Sequence, residues 1–224
     1  MQDEYDDIDR IGAGADALSA RTEANFRAFR AHWEACRAGS DVPRRAAIDP
    51  REIEPLISNA FIVERIAPGV VRLRVAGMHL NELMGMEARG MPLTSFIAPD
   101  DREAFSRHLV DLFDAPAILR MTLRSGRALG RPALAATLML LPLRSDLGDI
   151  SRALGCLVSH GSIGRPARRF TISHAETRPV SQTGAEPQAT PGLPRSGASL
   201  TAIPGRGTRP SEGPRDRGHL RVVT

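Results

Sequence analysis

The 224-residue chain contains no lysine: all 30 of its basic residues are arginine. Without a lysine amine there is no Walker A phosphate contact, no kinase-type ATP-pairing lysine and no pyridoxal Schiff base, so three large groups of enzymes are excluded at once. Cysteine is nearly absent as well. Cys36 and Cys156 are the only two and lie far apart, which argues against both a disulfide framework and a CxxC redox pair. No apolar run approaches the roughly 18 residues that would cross a bilayer. The N-terminal MQDEYDDIDR is acidic where a secretory signal would be basic and then apolar. These absences lead to the expectation of a cytoplasmic protein without a membrane span.

Aromatic residues make up only 4% of the chain, and none lies between Ser173 and Thr224. That stretch instead holds seven Pro and seven Gly among its 52 residues, too little apolar surface to offset its chain entropy. Charge is unevenly placed: the first ten residues carry five acids and one Arg, while Arg165 to the end carries ten Arg and four acids. A near-neutral middle thus lies between an acidic head and a basic tail. The expected organisation is an acidic disordered N-terminus over 1–18, one folded domain over 19–164 and a Pro/Gly/Arg-rich disordered tail over 165–224.

Within the domain the hydrophobic period changes several times. Phe26, Phe29, Trp33 and Cys36 recur at helical spacing, and Gly39 suits a left-handed cap. Asp49, Pro50 and Glu52 form a helix-start signal ahead of Ile53, Leu56 and Ile57. Phe61 to Ile66, the Pro68-Gly69 turn and the alternation of Val71, Leu73 and Val75 with Arg72 and Arg74 predict a hairpin with one wet face. A helical stretch follows from Leu80 to Met84. Asp100 or Asp101 then caps a helix striped by Phe105, Leu109, Leu112 and Phe113. Three more strands follow, around Leu119–Leu123, Leu134–Leu143 and Arg152–Ser159. The result is an α+β domain with five strands, two before the helices and three after.

The run VVRLRVAGMHLNELMGMEARGMPLTSF (Val70 to Phe96) resembles the second strand and following helical segment of a PAS domain. The flanking PRRAAIDP (Pro43 to Pro50), the acid-capped PDDREAFSRHLVDLF and the strands containing LMLLPL and ALGCLV extend the resemblance to the PAS_5 group over about Phe26 to Gly161. It implies a five-stranded antiparallel sheet with helices on one face, an N-terminal helical extension, and a small-molecule pocket between the sheet and those helices. Carried over by position, the lining is Val75, Leu80, Met84, Phe105, Leu109, Met121 and Met139, all of which are equally well read as plain core. His108, on the capped helix, stands where haem-binding PAS sensors draw a proximal ligand, but it lies at the margin of the apolar stripe, where a half-exposed histidine is the simpler reading. His79 is a lesser candidate for the same role. GMEARGMPL, at the flavin-reactive position of light-sensing relatives, has no cysteine. Pro43, Arg45, Asp49 and Pro50 carry the sharpest family likeness; Asp49 reads as a cap, and Arg45 as a bridge from the N-terminal helix to the domain or, alternatively, as a contact for a partner.

Other chemistry is hard to place. His32/Cys36 and Cys156/His160 would make a zinc set only if they converged, and four residues along a strand separate two ligands by about 13 Å. Gly12-Ala13-Gly14 lacks the strand that a dinucleotide loop needs. No catalytic set, metal site or required cofactor emerges. The resulting expectation is a non-enzymatic sensory or adaptor protein that signals through contact with a partner such as a sensor kinase or another regulator, with or without a small apolar ligand. Homodimerisation through the helix bearing Phe26, Phe29 and Trp33 is an alternative to docking of that helix on its own domain. Two rivals remain: a nucleic-acid-associated regulator using the arginine-rich tail, and an enzyme of unrecognised type. The tail arginines are spread among Pro and Gly without interleaved aromatics, which favours a solvated tail.

Overall fold

The strand-forming runs pair as one antiparallel sheet of six strands. The computed structural model describes residues 20–39 and 41–180, so the expected disordered N-terminus and the part of the tail beyond residue 180 lie outside the described residues. The strands are β1 (Ala60–Ala67), β2 (Val70–Ala76), β3 (Ala117–Ser125), β4 (Leu134–Arg144), β5 (Ile150–His160) and β6 (Thr171–Pro179), and they lie side by side in the order β2-β1-β5-β4-β3-β6. Helix α1 covers residues 20–35; α2 (Met78–Met84) and α3 (Arg102–Asp114) stand between β2 and β3. Short 3-10 turns at Arg45–Ala47, Pro50–Leu56, Leu93–Phe96 and Pro99–Asp101 fill the connections.

Alternation along β4 explains the layering. Leu134, Ala136, Leu138 and Leu140 face one core with α2 and α3, while Met139, Leu141 and Leu143 face a second. A strand that is apolar on both faces must be covered on both. The inner face receives Leu80, Leu83, Phe105, Leu109, Leu112 and Phe113 from α2 and α3. The outer face receives Phe26, Phe29 and Trp33 from α1 and Ile53 and Leu56 from the Pro50–Leu56 turn. The architecture is the expected mixture of helices and antiparallel sheet, with α2 and α3 on one face and the N-terminal extension α1 on the other, and with six strands where five are expected.

The same packing decides between the two fates of α1. Phe26 and Phe29 are 1% exposed and Trp33 is fully buried within its own chain, so these rings are not available to a second copy. The Trp33 indole donates to the Pro142 carbonyl at 2.8 Å, which satisfies its polar atom in the dry interface. An ion pair between Arg120 and Glu23, and another of 2.6 Å between Arg144 and Asp41, clasp the two ends of the N-terminal segment to the sheet. Homodimerisation through this aromatic face is therefore replaced by intramolecular docking.

The far end of the domain extends past the expected boundary at residue 164. Arg165–Val180, read as the start of the tail, is ordered: it crosses the helical side of the domain and returns as β6 beside β3. β6 was missed because its Thr, Ser, His, Glu and Arg give almost no apolar alternation; it is held by main-chain pairing instead. Phe170, wholly buried, anchors the crossover, with its N–H donating to the Phe96 carbonyl at 2.8 Å. Asp101 sits at the N-terminus of α3 without making the expected cap bond. Its carboxylate accepts from the Ile172 N–H at 2.8 Å and so secures β6.

Gly155 on β5 is required by close approach. A Cβ there would come within 2.2 Å of the Phe61 ring and 2.9 Å of the Leu140 side chain. Gly155→Ala is therefore expected to lower the unfolding free energy by about 1–3 kcal/mol through overpacking. Urea denaturation measures this, and an unchanged midpoint would mean that the Phe61 ring moves aside freely.

Candidate functional site

Five of the seven residues carried over as pocket lining meet on the inner face. Leu80, Phe105, Leu109 and Met121 are fully buried and Met84 is 8% exposed, all within the core that Phe96, Phe113 and Phe170 help to fill. Met139 does not join them, because its odd position on β4 turns it to the outer core beside α1. Val75 departs for another reason. Between the pairs Ile62↔Val75 and Val63↔Leu73 the register slips, leaving Arg74 as an extra residue on β2. This bulge inverts the alternation after Leu73, so Val75 emerges on the outer face, 48% exposed.

His108 also stands outside the core. It is half-buried on α3, with Nδ1 at 3.4 Å from the Thr177 hydroxyl on β6. His79 lies at the start of α2, where its Nε2 shares a 3.0 Å hydrogen bond with the Ser159 hydroxyl and its Nδ1 is 3.6 Å from the Glu82 carboxylate. Burial holds its pKa below the ordinary 6.5, only partly opposed by Glu82.

The displaced Val75 has a different set of neighbours. With Ile48, Pro50, Ile53, Ile57, Ile62 and Leu154 it lines a groove of about 330 Å³ on the outer face, beside the edge of the sheet. The groove exists because α1 covers only part of this face, while the irregular turn from Pro50 to Leu56 spans the remainder. Ile57, 45% exposed, and Val75 present apolar surface to solvent across it. Arg45 stands in the same lining, exposed and paired with no carboxylate among the described residues. Its expected bridging role is carried elsewhere, by Arg144, which pairs with Asp41 and donates its main-chain N–H to the Pro43 carbonyl at 2.9 Å.

The rest of the PRRAAIDP motif builds this wall. Pro43 is buried beside the end of β4, and Arg44 bridges Arg144 in parallel. Asp49 accepts from the Arg51 N–H at 2.9 Å, capping the Pro50–Leu56 turn as expected. The Arg51 guanidinium also holds the Asp49 carboxyl below the usual carboxylate range. Behind the motif, the Cys36 thiol donates to the Ala47 carbonyl at 3.2 Å, and His32 Nε2 accepts from the Asp49 N–H at 3.3 Å. Burial, then the charges of Asp49 and Glu52, raise the Cys36 pKa, so this thiol stays protonated and structural. Cys156 is buried in the outer core and its pKa is pushed well up. Among the described residues no three His, Cys, Asp or Glu side chains are grouped to hold a metal ion.

The arrangement offers apolar contact area with one free guanidinium at its rim and no nucleophile or acid–base pair. Sequence reasoning named Arg45, Pro50 and Val75 separately but not their meeting. Ile48, Ile57, Ile62 and Leu154 give no sign of a shared surface until the bulge and the 3-10 turn are known.

A family model described as PAS_5, PAS domain, matches residues 21–158. A solved structure entitled "Structure of an RNA-binding Light-Oxygen-Voltage Receptor" is similar at 18% identity and a TM-score of 0.36, covering 50% of this chain and 33% of its own. The chain thus spans a third of that protein's length. No curated protein matches.

The lowered pKa of His79 has a consequence for stability. Below 6.5 the unfolded chain binds a proton that the folded chain resists, so stability falls as pH drops from that value toward the lower folded pKa. Thermal unfolding from about pH 7.5 to about pH 5.5 should show this slope in the wild type and a shallower one in His79→Gln. Equal slopes would place the titration elsewhere.

Proposed function

The chain belongs to the PAS_5 family of PAS domains, and from that membership we propose that it works as a cytoplasmic sensory and adaptor module, passing its signal by contact with another signalling protein such as a sensor kinase or other regulator. PAS domains are in general sensory modules, and among the described residues no helix is long and apolar enough to cross a membrane. The observation that carries the reading is the outer-face groove, where Ile57 and Val75 stand 45% and 48% exposed beside the unpaired Arg45. Adjacent half-exposed aliphatic side chains rimmed by arginine have the makings of a protein-contact patch, since Arg is enriched at interfaces and the apolar centre gains by being covered.

A small apolar ligand on the inner face would have to part Leu80, Phe105, Leu109 and Met121, which are close-packed against one another. The groove needs no such opening. This difference favours contact at the groove over ligand capture in the core, and no residue in either place is assigned a catalytic role.

A photo-reactive phenylalanine analogue at position 75 tests the proposal in living cells, with the same analogue at Leu147, 96% exposed on the β4–β5 turn, as control. Position 75 is expected to form an adduct with a signalling protein that position 147 does not. Adding Ile57→Asp should remove the adduct while leaving the far-UV circular dichroism and melting temperature unchanged. An adduct pattern common to both positions, or one insensitive to Ile57→Asp, would overturn the assignment.

A further inference from the structure

A second surface, at the opposite edge of the sheet from the groove, is built from arginine without acid. The loop between β3 and β4, with the end of β3, contributes Arg124, Arg127 and Arg131; the crossover between β5 and β6 contributes Arg165, Arg168 and Arg169, and neither stretch contains an Asp or Glu. None of the six pairs with a carboxylate among the described residues. The two segments are interlocked. The Arg165 N–H donates to the Gly130 carbonyl at 2.7 Å, and Arg131 Nη2 donates to the Pro166 carbonyl at 3.3 Å. From the other side Arg168 Nη2 donates to the Pro132 carbonyl at 2.7 Å and its Nη1 to the Ile163 carbonyl at 3.2 Å.

Arg168 is wholly buried, and its Nε has no partner. A buried guanidinium held only by carbonyls, with a donor unused, is under-compensated, and the nearby Arg131 charge works against it. Beside it the two segments enclose a cleft of about 250 Å³ lined by Ser125, Gly126, Ala128, Arg131, Ala167 and Arg169. The cleft therefore has two guanidinium groups in its walls and no carboxylate among its lining residues, and the buried Arg168, near enough to Arg131 for their charges to oppose, lies on the same crossover.

We propose that this cleft binds an oligophosphate anion, with Arg131 and Arg169 as the charged contacts and Ser125 as a further hydrogen-bonding group. The planar fork of arginine matches phosphate oxygens in pairs. Several positive charges around one small cleft exceed what a monocarboxylate balances. The only apolar walls are Ala128 and Ala167, so there is nothing to hold the hydrocarbon body of an organic acid. No aromatic ring lines the cleft, which removes the stacking platform that single-stranded nucleic acid uses. A compact, multiply charged anion fits all of these features. It would supply the missing counter-charge and fasten the β3–β4 loop to the crossover. The proposal is independent of the groove and of its partner.

Isothermal titration of the full chain at fixed ionic strength with pyrophosphate, ATP, sulfate and an oligouridylate tests it. Pyrophosphate should saturate at one per chain, more tightly than sulfate. Arg169→Gln, an exposed substitution, should weaken binding about tenfold or more with the melting temperature unchanged. Arg178→Gln, near the other end of β6 and paired with Glu176, should leave it intact. Equal affinity for pyrophosphate and ATP assigns recognition to the phosphate chain alone, and tighter ATP binding makes a nucleotide the source. Absence of saturation, equal binding of sulfate, or indifference to Arg169→Gln would overturn the site. Displacement of pyrophosphate by oligouridylate with an affinity that rises with its length would replace the proposal with a nucleic-acid surface.

Discussion

The structure depends on a sheet that is apolar on both sides. β4 places Leu134, Ala136, Leu138 and Leu140 in one core and Met139, Leu141 and Leu143 in another, so it cannot be stable with helices on a single face. Burial of Phe26, Phe29 and Trp33 follows from that demand, as does the role of the Pro43–Pro50 motif. The motif is the return path from α1 to β1, and the Arg144 main chain and the Cys36 thiol bind it at successive points. Each aliphatic or aromatic side chain so covered contributes about 1.5–3 kcal/mol relative to exposure, and the polar bonds along the path mainly set where the cover lies.

Incomplete cover produces the candidate site. α1 packs over β3, β4 and β5, and the Pro50–Leu56 turn, with Pro55 inside it and a non-helical Ile53, is too irregular to close the remainder. The bulge at Arg74 then adds Val75 to the uncovered area. Neither feature alone would expose much apolar surface; together they set Ile57, Ile62 and Val75 around one groove beside Arg45.

Much of this is legible in the sequence. The period-two and period-3.6 patterns locate α3 and strands β1 to β5, and the cap at Asp49 is where the residue type places it; Gly39 does take a left-handed φ of 85°, but in a turn four positions beyond the end of α1 rather than as its cap. What escaped has identifiable causes. β6 has the composition of a loop and becomes a strand only because β3 has a free edge to pair with. The exit of Val75 from the core depends on a one-residue slip that leaves the alternation of Val71, Leu73 and Val75 unbroken in the sequence. Residue type alone suits Arg45 to a bridge or to a partner contact, and the bridge forms instead at Arg144, whose position at the end of β4 brings it against Asp41 and Pro43.

The turn at Ala88–Pro92 bears on how anything could approach β2. The Leu73 N–H donates to the Met91 carbonyl at 2.9 Å and the Leu73 carbonyl accepts from the Gly90 N–H at 2.8 Å, while Arg72 bridges Pro92. The outward main-chain groups of the strand are thus already engaged at its middle, and Pro92 has no N–H to extend the pairing. A visiting strand would have to displace that turn before it could add to the sheet. Recognition at this edge therefore has to work through side chains fitting into relief, and its selectivity will be sensitive to shape, not to the visitor's capacity to form β-structure.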